Sequence, residues 1–378
     1  MKVLFSAPPS AGHLLPVLPT LQALRAAGHD VLIAAYGGQL SPYLQLGLSA
    51  VDVGDRTELA EMYEKHAPGH RFGYPGETKE AIFRLPSLAN GELSRRTLPR
   101  LFALTRDWGP DLLLYDPFQA AIPLISAITA IPAVEHQTGI VSGRTMARLL
   151  AEHLRDLYGL YGVAGPRPAV SIEIGPPRLR EEDARSFSTR YVSAHGSAML
   201  PPELTVRSAR PRVLISFGTV LSAEIRNAEL AVLLPVLGRY DAEFLLAAGA
   251  EANGLQDLPD NVRLIPWAPL TDVLHRSDAV IHHGGAGTLM AGVVAGVPQL
   301  IVPHFGDQFW NARVGREHGF AVSAGSVPQI DEPLIHRLLT DRGLREGAER
   351  ISANNAQLPT PAALVPRLEA LAGRRGRR

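Results

Sequence analysis

One heptad in the chain combines residue types and spacing that suit anion chemistry: His282, His283, Gly284, Gly285, Ala286, Gly287 and Thr288. It falls between a predicted strand, Ala279 to His282, and a predicted helix, Thr288 to Ala295. Glycines let a backbone approach a ligand closely. The amides of Gly287 and Thr288 then stand at a helix N-terminus, whose partial positive charge suits a diphosphate. The Thr288 hydroxyl adds a donor, and His282 can donate to a phosphate oxygen, giving the stabilisation a metal gives elsewhere. The competing reading is a Gly-rich turn holding two packed imidazoles, and the neighbouring motifs weigh against it.

Those neighbours all sit at the ends of predicted strands. Trp267-Ala268-Pro269 closes a strand 15 positions before His282, where an indole can stack on a nucleobase and the Ala268 backbone can read its edge. Asp307-Gln308 follows Thr288 by 19 positions and offers acceptors and an amide for sugar hydroxyls. Ser216-Phe217-Gly218-Thr219 gives another small-residue loop at such an end. In the N-terminal half, His13 follows Ser10-Ala11-Gly12 at a helix start, and Asp116 ends the strand of PDLLLYD. An imidazole of near-neutral pKa is suited to deprotonating a hydroxyl, and a carboxylate on its far nitrogen fixes the tautomer.

The elements that must position these residues form two α/β series. Lys2 to Ala7 and Val31 to Ala35 read as strands, joined by a helix from Leu14 to Leu24 that Gly28 stops, which makes a βαβ unit of a parallel sheet. Leu112 to Tyr115 and Ile131 to Val134 extend that sheet. A second series begins after Pro201-Pro202, with strands at Val213 to Phe217, Phe244 to Ala248, Val262 to Pro266, Ala279 to His282 and Gln299 to Val302. Helices are expected at Ala223 to Leu237, Leu270 to Arg276, Thr288 to Ala295 and Gln308 to His318. The expected division is therefore 1–200, a linker at 201–210, 211–358, and a C-terminal helix within 359–378 that packs back on the first domain and ends in a basic tail. Two such halves facing each other leave a ligand cleft at the C-terminal edges of their strands. The irregular stretches Asp55 to Asn90 and Gln137 to Pro168, the latter with a helix at Arg144 to Tyr158, read as acceptor-binding loops.

Composition narrows the class further. At 378 residues, two domains are the default. Hydrophobic residues at 46% and charged ones at 20% describe an ordinary globular protein. The balance of 37 basic and 37 acidic residues gives no field for nucleic acid or an anionic membrane, so small molecules are the expected partners. Absence of cysteine removes disulfides, thiolate metal sites and a cysteine nucleophile, and the N-terminus lacks a secretory apolar run, which fits a cytoplasmic protein. The apolar run Ala120 to Val134 is too short and interrupted to span a membrane. Only Lys2, Lys65 and Lys79 are lysines, a bias that a GC-rich genome of the actinobacterial kind produces. GxxxxGK[ST], GxGxxG, GxSxG, HExxH and paired Asp at i, i+2 are all absent. The last pair holds a divalent ion in metal-dependent sugar transferases, so no metal is expected here.

In WAPL, HHGGAGT, AGVPQL and DQ…NA, and in the opening FSAPPSAGHLLPVLPTLQALRAAGHDV, the chain resembles the inverting glycosyltransferases of GT-B fold, notably the bacterial enzymes that glycosylate antibiotics and other natural products. The resemblance covers most of the chain and fades in 55–90 and 137–168. It implies two Rossmann-like domains, a nucleotide-sugar co-substrate, a small-molecule aglycone acceptor and no resident cofactor, and leaves a homodimer open. It also implies His13 as general base with Asp116 orienting it. The donor set it implies is Gly12, Gly218, Thr219, Trp267, Ala268, Leu270, His282, Gly284, Gly285, Gly287, Thr288, Asp307 and Gln308. Two departures stand out. Met290 replaces the Glu with which plant relatives hold ribose hydroxyls, and a thioether packs against a deoxyribose better than it accepts from a diol, so a dTDP-sugar is favoured over a UDP-sugar. Leu270 stands where plant relatives carry Gln, which puts plant sugar-recognition rules in doubt. The competing readings are a hydrolysing nucleotide-sugar epimerase and a catalytically silent helper of a partner transferase.

Overall fold

The computed structural model describes residues 1–8, 10–35, 47–54, 59–66, 76–180, 185–194, 198–218, 223–247, 255 and 257–373. Contacts divide the chain into two units, Met1–Gly196 with Leu358–Arg378, and Ser197–Gln357.

The first unit is built on a seven-stranded parallel sheet of β1 (Lys2–Ser6), β2 (Asp30–Ala35), β3 (Ser49–Asp52), β4 (Leu112–Tyr115), β5 (Ala133–His136), β6 (Val170–Ile174) and β7 (Ser186–Thr189). Their order is β3-β2-β1-β4-β5-β6-β7. The central strands KVLFS and LLLY are apolar on both faces, as strands covered on two sides by helices must be. The chain runs outward from β1 through β2 to β3, then returns to start again at β4 beside β1, so the order reverses between β1 and β4.

The second unit repeats the device with six parallel strands: β8 (Arg212–Ser216), β9 (Glu243–Leu246), β10 (Val262–Leu264), β11 (Ala279–His282), β12 (Gln299–Ile301) and β13 (Ala321–Ser323). Their order is β10-β9-β8-β11-β12-β13, and here the reversal falls between β8 and β11.

Three departures from the expected elements have physical causes. The described part of the stretch expected to be loop, 55–90, is helical: Leu59–His66, and the start of a 30-residue helix, Lys79–Trp108, capped by the Thr78 hydroxyl and ended by Gly109 at φ 65°. Its buried face carries Ser87, Asn90, Thr97 and Thr105, whose side chains donate to carbonyls three or four residues back. No apolar stripe announces it, and Pro86 and Pro99 lie inside it. The helix expected from Leu14 is broken at Pro16 into Ala11–Leu14, a 3-10 turn Leu15–Val17, and Leu18–Ala26.

Residues 201–210, read as a linker, fold onto the second unit. Leu204 is buried with Leu214, Leu245 and Val280, and the buried Arg212 guanidinium donates to the carbonyls of Val206 (2.8 Å) and Glu203 (3.3 Å). A charged group sunk that deep needs such acceptors, which ties the segment down. At the other end, Pro361–Leu364 and the helix Val365–Ala372 lie against Leu18–Ala26 and β4 of the first unit. The Pro359 carbonyl accepts from the Arg190 amide (2.8 Å) and the Thr189 hydroxyl (2.9 Å). The basic tail, Arg374 to Arg378, lies outside the described residues.

Candidate active site

Each unit gathers its chemistry where its strand order reverses. In the first, β1 and β4 run side by side with Ser6 opposite Tyr115, so the segments that leave them emerge together. His13, on the first turn after β1, places Nδ1 2.8 Å from Asp116 Oδ2. Asp116 is fully buried and the His13 side chain is 21% exposed. The second carboxylate oxygen accepts the Phe118 amide at 2.7 Å, and the imidazole tilts against the Phe118 ring with centroids 4.6 Å apart. A carboxylate can only accept, so the hydrogen lies on Nδ1 and Nε2 is the basic nitrogen. Gly12 is exposed on this same turn, in the first unit and not among the second-unit residues with which it was grouped.

In the second unit the loops after β8 and β11 meet around His283, packed as the competing reading of the heptad had it. His283 is wedged between two glycines: a Cβ on Gly218 would lie 2.6 Å from its ring, and one on Gly285 2.3 Å. Gly218 also has φ 72°. Burial pushes the His283 imidazole down to about 4, so it is neutral, with Nδ1 directed at the Ser216 carbonyl 3.4 Å away. Two of the glycines expected to admit a ligand therefore admit a side chain. Thr219 lies outside the described residues.

His282 departs most from its expected role. Its Nδ1 accepts the Gly284 amide at 3.0 Å, which puts its hydrogen on Nε2, and Nε2 donates to Gln299 Oε1 at 2.8 Å. Gln299 in turn donates to the Leu289 carbonyl at 3.1 Å. With both ring nitrogens committed, 0% exposure and a pKa held down at about 3 by burial, His282 has no N–H to offer a phosphate in this conformation. Its work is to lock β11 to β12 and to the helix that follows.

That helix, Ala286–Ala295, begins after Gly285, so the amides of Ala286, Gly287 and Thr288 form its first turn and lack intrahelical acceptors. Gly287 is half-buried with open space where a Cβ would stand, and these amides are what the heptad offers an anion. Gly284, at φ 90°, turns the chain into the helix and its carbonyl accepts from Asn311 at 2.8 Å. Asn311, the Asn of the DQ…NA motif, donates to Asp307 as well, at 3.0 Å.

Trp267 follows β10 with 56% of its surface exposed, while Ala268 beside it is buried and Leu270 opens the short helix Leu270–Leu274. Asp307 and Gln308 follow β12 as placed, but the Gln308 side-chain Oε1 accepts the amides of His304 (2.8 Å) and Phe305 (3.3 Å), so it shapes its own loop. Met290 is 0% exposed inside the helix, so its thioether does not reach a deoxyribose as expected. Of the two acceptor stretches, 55–58 and 67–75 lie outside the described residues, and 137–168 lines a cavity of about 550 Å³ in the first unit.

Two parallel α/β domains of this kind are those of the GT-B glycosyltransferases. Residues 22–218 match the N-terminal domain and residues 231–371 the C-terminal domain of the family described as erythromycin biosynthesis protein CIII-like, and the chain belongs to that family of bacterial natural-product glycosyltransferases. It is 33% identical to the elloramycin glycosyltransferase ElmGT of Streptomyces olivaceus, over 99% of this chain and 98% of that one. Among solved structures, SnogD from Streptomyces nogalater superposes with a TM-score of 0.85 at 33% identity, covering 98% and 99% of the two chains. The spinosyn rhamnosyltransferase SpnG complexed with thymidine diphosphate gives 0.85 at 27% identity, covering 98% and 100%, and SpnG has also been solved with spinosyn aglycone. Among the described residues, no helix is long and apolar enough to cross a membrane.

Proposed function

We propose that this glycosyltransferase moves a sugar from a dTDP-sugar to a hydroxyl of a small-molecule natural product, with inversion at the anomeric carbon and His13 as general base. The 2.8 Å contact between His13 Nδ1 and Asp116 Oδ2 carries the reading, because it leaves a basic Nε2 on an imidazole whose far side is anchored. His13 Nε2 takes the acceptor hydroxyl proton as the oxygen bonds to the anomeric carbon. The carbon–oxygen bond to the diphosphate breaks, and its electron pair leaves with the nucleotide. Asp116 stabilises the imidazolium. The first-turn amides of Ala286 to Thr288 face the growing negative charge, with His282 holding that turn in place and not touching the phosphates.

The choice of dTDP rests on relatives with a thymidine diphosphate complex, since Met290 no longer supports it. Exposed Trp267 supplies a stacking face for the base. Incubating the protein with matched dTDP- and UDP-sugars of known anomeric configuration and an alcohol acceptor, then assigning the product anomer by NMR, tests the donor choice and the inversion. A retained anomeric configuration, or faster turnover with the UDP-sugar, overturns the corresponding one.

A further inference from the structure

Asp116 stands on a turn with little slack. Its amide donates to the Ser6 carbonyl at 3.1 Å, its carbonyl accepts the Gln119 amide at 2.9 Å, and its Oδ1 accepts the Phe118 amide at 2.7 Å. Gln119 ties the far end back to β1, donating from Nε2 to Ser6 Oγ at 3.0 Å. Pro117 and Phe118 form the corner, and the Phe118 ring lies against His13. The buried Pro117 ring fills the space beside buried Gly143, which immediately precedes the helix Arg144–His153. A Cβ on Gly143 would lie 2.3 Å from Pro117 Cβ and 2.5 Å from its Cγ. Gly143 has φ −73°, which any residue adopts, so space and not backbone conformation excludes a side chain there. Nor is Gly143 free to withdraw. Its amide donates to Gln137 Oε1 at 2.9 Å and its carbonyl accepts the Ala147 amide at 2.8 Å.

Bringing 2.3 Å out to an ordinary carbon–carbon contact of about 3.5 Å takes a shift of about 1 Å. The proline ring is rigid and the interior close-packed, so the turn itself must move. Pro117 hands that shift to Asp116, which is bonded to His13, and to Phe118, which packs on it. We propose that Gly143 is a positioning residue: the space it leaves seats Pro117, and through it the Asp116 carboxylate that orients His13. The effect on turnover rests on His13 being the base, whereas the seating of Asp116 does not.

Ring-nitrogen NMR of the full-length chain carrying isotopically labelled histidine, at mildly alkaline pH where imidazoles are neutral, reads the seating directly. Wild-type His13, identified by the resonances that His13→Ala removes, is expected in the single Nδ1–H form. Gly143→Ala should turn it into a mixture of tautomers, with buried His136 unmoved as the mark of a folded first unit. Turnover of a dTDP-sugar with an alcohol acceptor should fall about a hundredfold at unchanged donor KM, the worth of a 1 Å misplacement. A single His13 tautomer in Gly143→Ala, or a mixture already in the wild type, overturns the assignment. Should Gly143→Ala not fold, Pro117→Gly, which removes both contacting atoms from the other side, decides by the same reading. Turnover kept by Gly143→Ala but lost by His13→Ala also overturns it. Turnover kept by both, beside a shifted tautomer, removes the base reading and leaves the seating.

Discussion

Asp116 is held from two sides, its Oδ1 by the Phe118 amide at 2.7 Å and its Oδ2 by His13 Nδ1 at 2.8 Å, so the carboxylate is fixed before it fixes the imidazole. Removing the imidazole with His13→Ala should lower turnover by roughly 10²–10⁴-fold, the usual worth of a positioned base. Asp116→Asn should lose less, because Nε2 survives but its orientation and tautomer do not. Thermal shift with dTDP should be unchanged in both, since neither residue is on the unit that carries the donor motif. Near-normal turnover of His13→Ala sinks the assignment.

His282 separates structural support from direct phosphate contact. His282→Ala strands the Gln299 carbonyl oxygen and the Gly284 amide inside the second unit, each costing about 1–3 kcal/mol. The expected result is a clear loss of unfolding free energy in urea. If stability holds while dTDP affinity collapses, the ring touches phosphate after all.

Trp267 should behave in the opposite way. The residue is 56% exposed, so Trp267→Ala ought to leave the urea midpoint almost unmoved. Loss of a stacking face is worth about 1–3 kcal/mol per base, and calorimetry with dTDP should report a drop of that order. An unaltered dissociation constant would remove Trp267 from the donor site.

Acid should unfold the chain early. His136 and His283 are pushed down to about 4 and His282 to about 3 by burial, so below pH 6.5 the unfolded chain takes up protons that the folded one refuses. Their contribution is complete above pH 6.5 and is lost as pH falls toward 3–4. Glu135 works against them: burial raises it from 4.5 to about 7, so its contribution is complete below pH 4.5 and is lost as pH rises to 7. Three groups outweigh one, each worth up to about 1.4 kcal/mol per pH unit. Glu92 and Asp156, both held at about 2 by cationic partners, act only at lower pH. Unfolding free energy should therefore fall between pH 6.5 and 5, and more steeply in Glu135→Gln. A flat profile over that range would falsify the balance.

Where the sequence was legible, strand ends made it so. β4, β11 and the helix Ala223–Leu237 have the bounds read from their apolar pattern, and the pairing of His13 with Asp116 follows from two strand ends at one edge. Periodicity fails where burial is achieved without apolar side chains, as along Ser87, Asn90 and Thr97 of the long helix. It also cannot say which way a single polar residue faces. His282 turns inward because Gln299, 17 positions later on the neighbouring strand, offers an acceptor, and Gln308 curls onto its own loop. Met290 sits on the buried side of a helix whose residues are apolar nearly all round, so no stripe marks its direction.

The insertion of residues 197–357 within the first unit sets an order on biosynthesis. Every strand of β8 to β13 has been synthesised before Pro361–Leu364 and Val365–Ala372 exist. Domains generally mature from the N-terminus as they are made, but here the earlier half must wait, with Leu18–Ala26 lacking the C-terminal segment that lies against it. The half that carries His13 is completed only after the whole second unit has been made, and a released chain truncated before residue 358 would hold all of the second unit and an incomplete first one.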